Sequence, residues 1–134
     1  MISSYNITTQ AVLADGVINF TTDRILTGCT ATRDGQTFQL NKPGYYYVTF
    51  NAVATATEVG EITATLENNG IAVVGATASM TAGTVGDLVN LAFTTIIKVP
   101  PSCCAVNNVG NLTVVNAGVG ATYTNVNLNI TKLC

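Results

Sequence analysis

Apolar side chains fall on every second position through most of this chain, and β-branched residues are abundant, the pattern of half-buried strands rather than helices. The clearest run is YYYVTFNAVATAT, residues 45–57. Alternation puts Tyr46, Val48, Phe50, Ala52 and Ala54 on one face, and Tyr45, Tyr47, Thr49, Asn51 and Val53 on the other. Both faces are aromatic or apolar near the start. One face is therefore expected to pack in the subunit core and the other to meet something else.

Further strands follow the same logic. EITATLENNGIAVVGATAS reads as a hairpin in which Ile62, Ala64 and Leu66 alternate, Asn69-Gly70 turns, and residues 71–78 return. GDLVNLAFTTIIKV, residues 86–99, is a long strand stopped by Pro100-Pro101. NLTVVNAG starts a short strand at Asn111. TYTNVNLNITKL, residues 122–133, sets Val126, Leu128 and Ile130 against Asn125, Asn127 and Asn129. Earlier pieces are AVLADGVINF, GCTATR and QTFQL, with a turn at Asp34-Gly35. Eight to ten short strands, with turn signals at intervals of roughly 8–12 residues, predict an all-β sandwich or jelly roll. No linker, repeat or low-complexity segment divides residues 1–134, so a single domain is expected, with residues 1–10 as an extended N-terminal arm. The predicted subunit core includes Tyr46, Val48, Phe50, Val126, Leu128 and Ile130.

Composition narrows the function. Charged residues make up 9% of the 134 residues, against roughly 25% in ordinary soluble domains. A polar but nearly neutral surface suits a chain hidden in an oligomer, or a rigid extracellular or virion surface. The five basic residues, Arg24, Arg33, Lys42, Lys98 and Lys132, are scattered in sequence, which argues against nucleic-acid binding. No apolar run is long enough for a transmembrane helix, so no membrane insertion is expected. MISSYNITTQ has neither a basic n-region nor an apolar h-region, so export by a signal peptide is not expected. The Asn-x-Thr sequons at Asn6, Asn19, Asn111 and Asn129 are accordingly read as unused.

Candidate chemistry is sparse. The chain has no histidine, which removes the commonest general base and metal ligand. Ser3, Ser4, Ser79 and Ser102 stand in no nucleophile elbow. Asp15 and Asp34 precede glycines as turn residues. Glu58 and Glu61 flank a loop, but calcium takes about six to eight oxygens, and two carboxylates beside a turn read as solvated surface. No enzymatic activity, metal or cofactor is predicted.

The cysteines leave alternatives open. Cys103 and Cys104 are adjacent in KVPPSCCAVNN, while Cys29 and Cys134 stand alone. Zinc sites favour C-x2-C spacing, redox pairs favour C-x-x-C, and a vicinal disulfide strains its peptide unit. Free buried thiols and structural disulfides remain. All four are candidates for disulfides, within or between subunits, each contributing about 2–4 kcal/mol.

GQTFQLNKPGYYYVTFNAVA, residues 35–54, resembles the central signature of the C1q/TNF-like family, with Gly35, Phe38, Gly44, Tyr46, Val48 and Phe50 at its glycine, aromatic and apolar positions. ATLENNGIAVV resembles the next hairpin of that family, and GDLVNLAF its Gly-Asp-x-Val strand. LTVVNAGVGATYTNVNLNITKL is similar to the closing strands of bacterial and phage members, including collagen-like spore-surface proteins. No Gly-X-Y stem precedes the domain, and PPSCC is not a general family feature.

The resemblance implies a ten-stranded antiparallel jelly-roll sandwich that assembles as a homotrimer. It places Tyr45, Tyr47 and Thr49 toward the threefold axis, with Asn125, Asn127 and Asn129 nearby. The expected function is a non-catalytic structural or attachment protein of a phage virion: a head fibre, decoration protein or spike head contacting other virion or surface proteins. The alternative is a module of a bacterial spore or cell surface that binds a host glycan or receptor through the loops at 58–61, 76–86 and 107–111.

Overall fold

The computed structural model describes residues 1–28, 31–100 and 110–133. All four cysteines, and with them every disulfide expectation, lie outside the described residues. Twelve strands run through the described residues: β1 (Ile2–Asn6), β2 (Gln10–Val12), β3 (Gly16–Val17), β4 (Thr22–Leu26), β5 (Ala31–Asp34), β6 (Thr37–Leu40), β7 (Gly44–Ala56), β8 (Gly60–Asn68), β9 (Ile71–Ala82), β10 (Leu88–Val99), β11 (Gly110–Asn116) and β12 (Ala121–Lys132). They form two antiparallel sheets. The first runs β10-β7-β12-β1-β4, with β2 also on β12. The second runs β5-β6-β11-β8-β9, with β3 also on β11.

The N-terminal third differs most from expectation. Residues 2–6 are not an arm: β1 lies between β12 and β4, with Ile2 opposite both Ile130 and Leu26. AVLADGVINF is not one strand either. Asp15 takes a positive φ of 64°, a left-handed conformation that a short polar side chain tolerates, and the chain crosses there from one sheet to the other. β2 before it pairs with β12, and β3 after it pairs with β11. These short pieces take the count above the ten expected. The Asn69-Gly70 turn has φ of 55° and 82°, as a two-residue hairpin turn requires. β9 runs to Ala82 and carries a bulge near Gly75, where the register shifts against β8.

The core lies between the sheets. Tyr46, Val48, Phe50, Ala52, Ala54 and Ala56 of β7 are buried, as are Val126, Leu128 and Ile130 of β12. Four phenylalanines span the sandwich. Phe50 stacks on Phe93 at 5.0 Å between ring centroids, Phe20 meets Phe50 edge-on at 6.5 Å, and Phe20 meets Phe38 at 5.1 Å. Two buried tyrosines keep their hydroxyls satisfied: Tyr46 donates to the Lys42 carbonyl at 2.7 Å and Tyr123 to Asn116 Oδ1 at 3.0 Å.

A polar latch joins the sheets where β4 and β5 form their edges. Arg33 Nε donates to Asp23 Oδ1 at 2.6 Å, Arg33 Nη1 donates to the Phe20 carbonyl at 2.8 Å, and Ser4 donates to the same Asp23 oxygen. The guanidinium hydrogen bond holds the Asp23 carboxyl below its ordinary value of 3.8, against the opposing effect of burial. A depressed folded-state pKa gives stability that is present above the unfolded value and lost as pH falls through the folded one. Asp23→Asn is therefore expected to cost about 1–2 kcal/mol near neutral pH, and the gap from the parent chain should narrow as the pH falls below the ordinary carboxylate value and the Asp23 carboxyl takes up its proton. Denaturant unfolding of both proteins at about pH 7 and about pH 2.5 measures this. A gap that does not narrow in acid contradicts the assignment.

Candidate functional site

The outward face of the first sheet is ordered in rows set by strand register. At one end Lys98 of β10 stands opposite Tyr45 of β7. The next row holds Ile96, Tyr47 and Thr131, and the row after it Thr94, Thr49, Asn129 and Ser3. Ala92, Asn51, Asn127 and Tyr5 follow, then Asn90, Val53 and Asn125. The face is thus apolar and aromatic at one end and rich in carboxamides at the other.

The apolar end is open to solvent. Tyr45 is 44% exposed, Tyr47 40% and Ile96 56%. The Lys98 ammonium sits 5.9 Å from the Tyr45 ring centroid, and the Arg24 guanidinium 4.9 Å from that of Tyr5, both within cation–π range. Farther along, Asn129 Nδ2 donates to Thr49 Oγ1 at 3.2 Å. Asn127 is half-buried, and its Oδ1 is shielded from solvent with no donor among the described residues. A carboxamide oxygen left without a donor costs about 1–3 kcal/mol. At the carboxamide end, Asn51, Ala52, Val53, Asn90, Leu91, Ala92 and Asn125 line a depression of about 210 Å³. The small side chains Ala92 and Val53 leave the space, and the three asparagines rim it.

Tyr45, Tyr47, Thr49, Asn125, Asn127 and Asn129, singled out from the sequence, share this face. Asn125 is exposed, whereas Thr49, Asn127 and Asn129 are half-buried. Sequence reasoning did not single out Ile96, Asn90 or Tyr5. The alternation of residues 86–99 separates Asn90, Ala92, Thr94 and Ile96 from Val89, Leu91 and Phe93, and pairing with β7 would have brought them in. Tyr5 lay in the presumed arm.

The candidate recognition loops are partly strand. Gly60 and Glu61 belong to β8, and residues 76–82 to β9, which leaves residues 58–59 and 83–86 outside the strands. Residues 107–109 lie outside the described residues. Among the described residues no three His, Cys, Asp or Glu side chains converge to hold a metal ion, and no helix is long and apolar enough to cross a membrane.

Two packed antiparallel sheets give the chain an all-β sandwich whose fold is like that of TNF and C1q jelly-roll domains. No family model and no curated protein matches the chain, so the likeness rests on solved structures. The PRD1 phage vertex protein P5 is 14% identical at a TM-score of 0.63, over 99% of this chain and 96% of that one. The Eiger TNF of S. frugiperda is 11% identical at a TM-score of 0.71, over 99% and 92%. The globular domain of zebrafish complement 1qA is 11% identical at a TM-score of 0.64, over 95% and 92%.

Proposed function

We propose that this chain is a non-catalytic structural or attachment module that works as a homotrimer in a phage virion, as a head fibre, decoration protein or spike head. One observation carries the reading. The outward face of the first sheet combines exposed Tyr45, Tyr47 and Ile96 with an Asn127 oxygen that is shielded from solvent and has no donor among the described residues. A second copy packed on this face covers the aromatic end and brings donors to the carboxamide end. Tyr45, Tyr47, Thr49, Asn125, Asn127 and Asn129 are then interface residues. The fold supports this, because the resemblance to the C1q/TNF-like family implies a compact trimer. The phage vertex protein among the structural neighbours supports the virion location. The low charge supports a surface that works across a range of salt concentrations.

The pocket bounded by Asn51, Asn90 and Asn125 favours a second reading. In it the domain is a surface module of a bacterial spore or cell envelope that binds a glycan or receptor through neutral carboxamides. Light scattering on a sizing column in about 300 mM salt separates the two, since surface electrostatics are screened there. Three times the 13.9 kDa chain mass is the result expected for the trimer. A monomer overturns it and leaves the pocket open for glycan-array screening.

A further inference from the structure

The basic residues that are scattered in sequence converge in space. Lys98 of β10 pairs with Tyr45, Lys132 of β12 pairs with Tyr46, and the Lys42 carbonyl accepts the Tyr46 hydroxyl. Three of the five basic residues thus surround the start of β7. The carboxylates gather at the opposite end. Asp15 N donates to the Asn116 carbonyl at 2.7 Å, and Val119 N to that of Glu61 at 3.0 Å. Gly120 N donates to Glu58 Oε1 at 3.0 Å, and Ala56 N to the Asp87 carbonyl at 2.9 Å.

Asp15, Glu58, Glu61 and Asp87, four of the seven acidic residues, are therefore tied together around the end of β7, and all four are exposed. No Lys or Arg occurs in the segments that carry them. The two clusters stand roughly 35 Å apart along β7, at about 3.3 Å per residue. The remaining described charges do not cancel this polarity. Asp23 is paired with Arg33, Arg24 lies over Tyr5, Asp34 ends β5, and Glu67 lies on the second sheet opposite Thr113.

We propose that copies of this protein associate end to end, the lysine end of one against the acidic end of the next. The occupant is a second copy because the molecule itself carries the complementary surface: three cations face four anions on an otherwise nearly neutral body. The contact is heterologous, since different surfaces meet, and because those surfaces lie at opposite ends of the molecule it extends into rows. If the subunits are trimers, every charge acts three times at each junction. The polarity itself belongs to the single chain and does not depend on trimer formation.

The sign of the salt effect tests this. The net charge is −2, so simple repulsion holds copies apart, and more strongly as salt is removed. End-to-end attraction predicts the reverse. Sedimentation velocity is run on the intact protein at about 10 mM and about 300 mM salt. The expected result is a weight-average mass at least doubled at low salt, rising with protein concentration. The triple variant Lys42→Gln, Lys98→Gln, Lys132→Gln should stay at the high-salt mass. Glu61→Lys, which changes the other end, should behave in the same way.

A low-salt mass that is unchanged or lower overturns the proposal, as does a rise that the lysine variant shares. A chain that stays unassociated but binds polyglutamate through these lysines also overturns it, in favour of an acidic partner. The high-salt mass reports the trimer separately, so failure of one reading is distinguishable from failure of the other.

Discussion

Tyr47→Lys is expected to leave the chain a monomer without unfolding it. Tyr47 points away from the core and is 40% exposed in the single subunit. Its neighbours across the strands are Ile96 and Thr131, so the substitution opens no cavity between the sheets. In the proposed trimer the ring is an aromatic anchor at the apolar end of the interface, and removing such an anchor costs about 2 kcal/mol or more. Each copy contributes one, so a trimer loses roughly 6 kcal/mol, about four orders of magnitude in its association constant. The new ammonium adds to the loss, because it must be desolvated near Lys98, which already lies over Tyr45.

Light scattering should give the single-chain mass, while far-ultraviolet circular dichroism and the thermal midpoint of the monomer remain those of a folded β-sandwich. Tyr47→Phe, which keeps the ring, should remain a trimer. If Tyr47→Lys keeps the parent mass, this face is not the interface.

What the sequence made legible follows from how local each signal is. β7 reads correctly because its alternation is continuous and its inward residues, Tyr46 to Ala56, are buried without interruption. The Asn69-Gly70 turn reads correctly because positive φ at two successive residues is a local demand that few side chains meet. β1 to β4 were harder. They are two to five residues long, shorter than the window in which a period can be counted, and Asp15 turns the chain between sheets in the middle of an apparently continuous run.

The candidate site divides in the same way. Alternation alone put Tyr45, Tyr47 and Thr49 on one face and Asn125, Asn127 and Asn129 on another. That the two faces are one depends on the pairing of β7 with β12, strands separated by more than sixty residues of chain. The lysine end was invisible for the same reason. Lys42, Lys98 and Lys132 are distant in sequence and become neighbours through the register of three strands. Pairing partners are chosen by the whole sandwich, and no short window carries that information.

The largest expected loss of subunit stability comes from one polar side chain, Asn116. It is fully buried at the end of β11. Its Nδ2 donates to the Val119 carbonyl at 2.9 Å and to the Val12 and Leu13 carbonyls at 3.3 Å. Its Oδ1 accepts the Tyr123 hydroxyl at 3.0 Å. One carboxamide thus ties the β2 end, where the chain leaves the first sheet, to the 117–120 turn and to a phenol inside the core.

The turn cannot relax to compensate. A Cβ at Gly118 would stand 2.2 Å from the Glu61 carbonyl oxygen, and Ala117 N and Val119 N already donate to β8 carbonyls. Asn116→Ala removes the hub and leaves the Tyr123 hydroxyl without its acceptor, where a buried unpaired group costs about 1–3 kcal/mol. With the small cavity and the carbonyls that lose a donor, the total should be about 3–5 kcal/mol, among the largest effects a single substitution produces.

Tyr123 supplies the internal check. Burial pushes its phenol far above the ordinary value, so the pair does not titrate at neutral pH and the loss should not change with pH there. Tyr123→Phe in the Asn116→Ala background should cost less than in the parent, because the hydroxyl it removes is already unpaired. A double-mutant cycle by denaturant unfolding should give a coupling of about 1–2 kcal/mol. Strict additivity would mean that the two groups do not share a hydrogen bond in the folded protein.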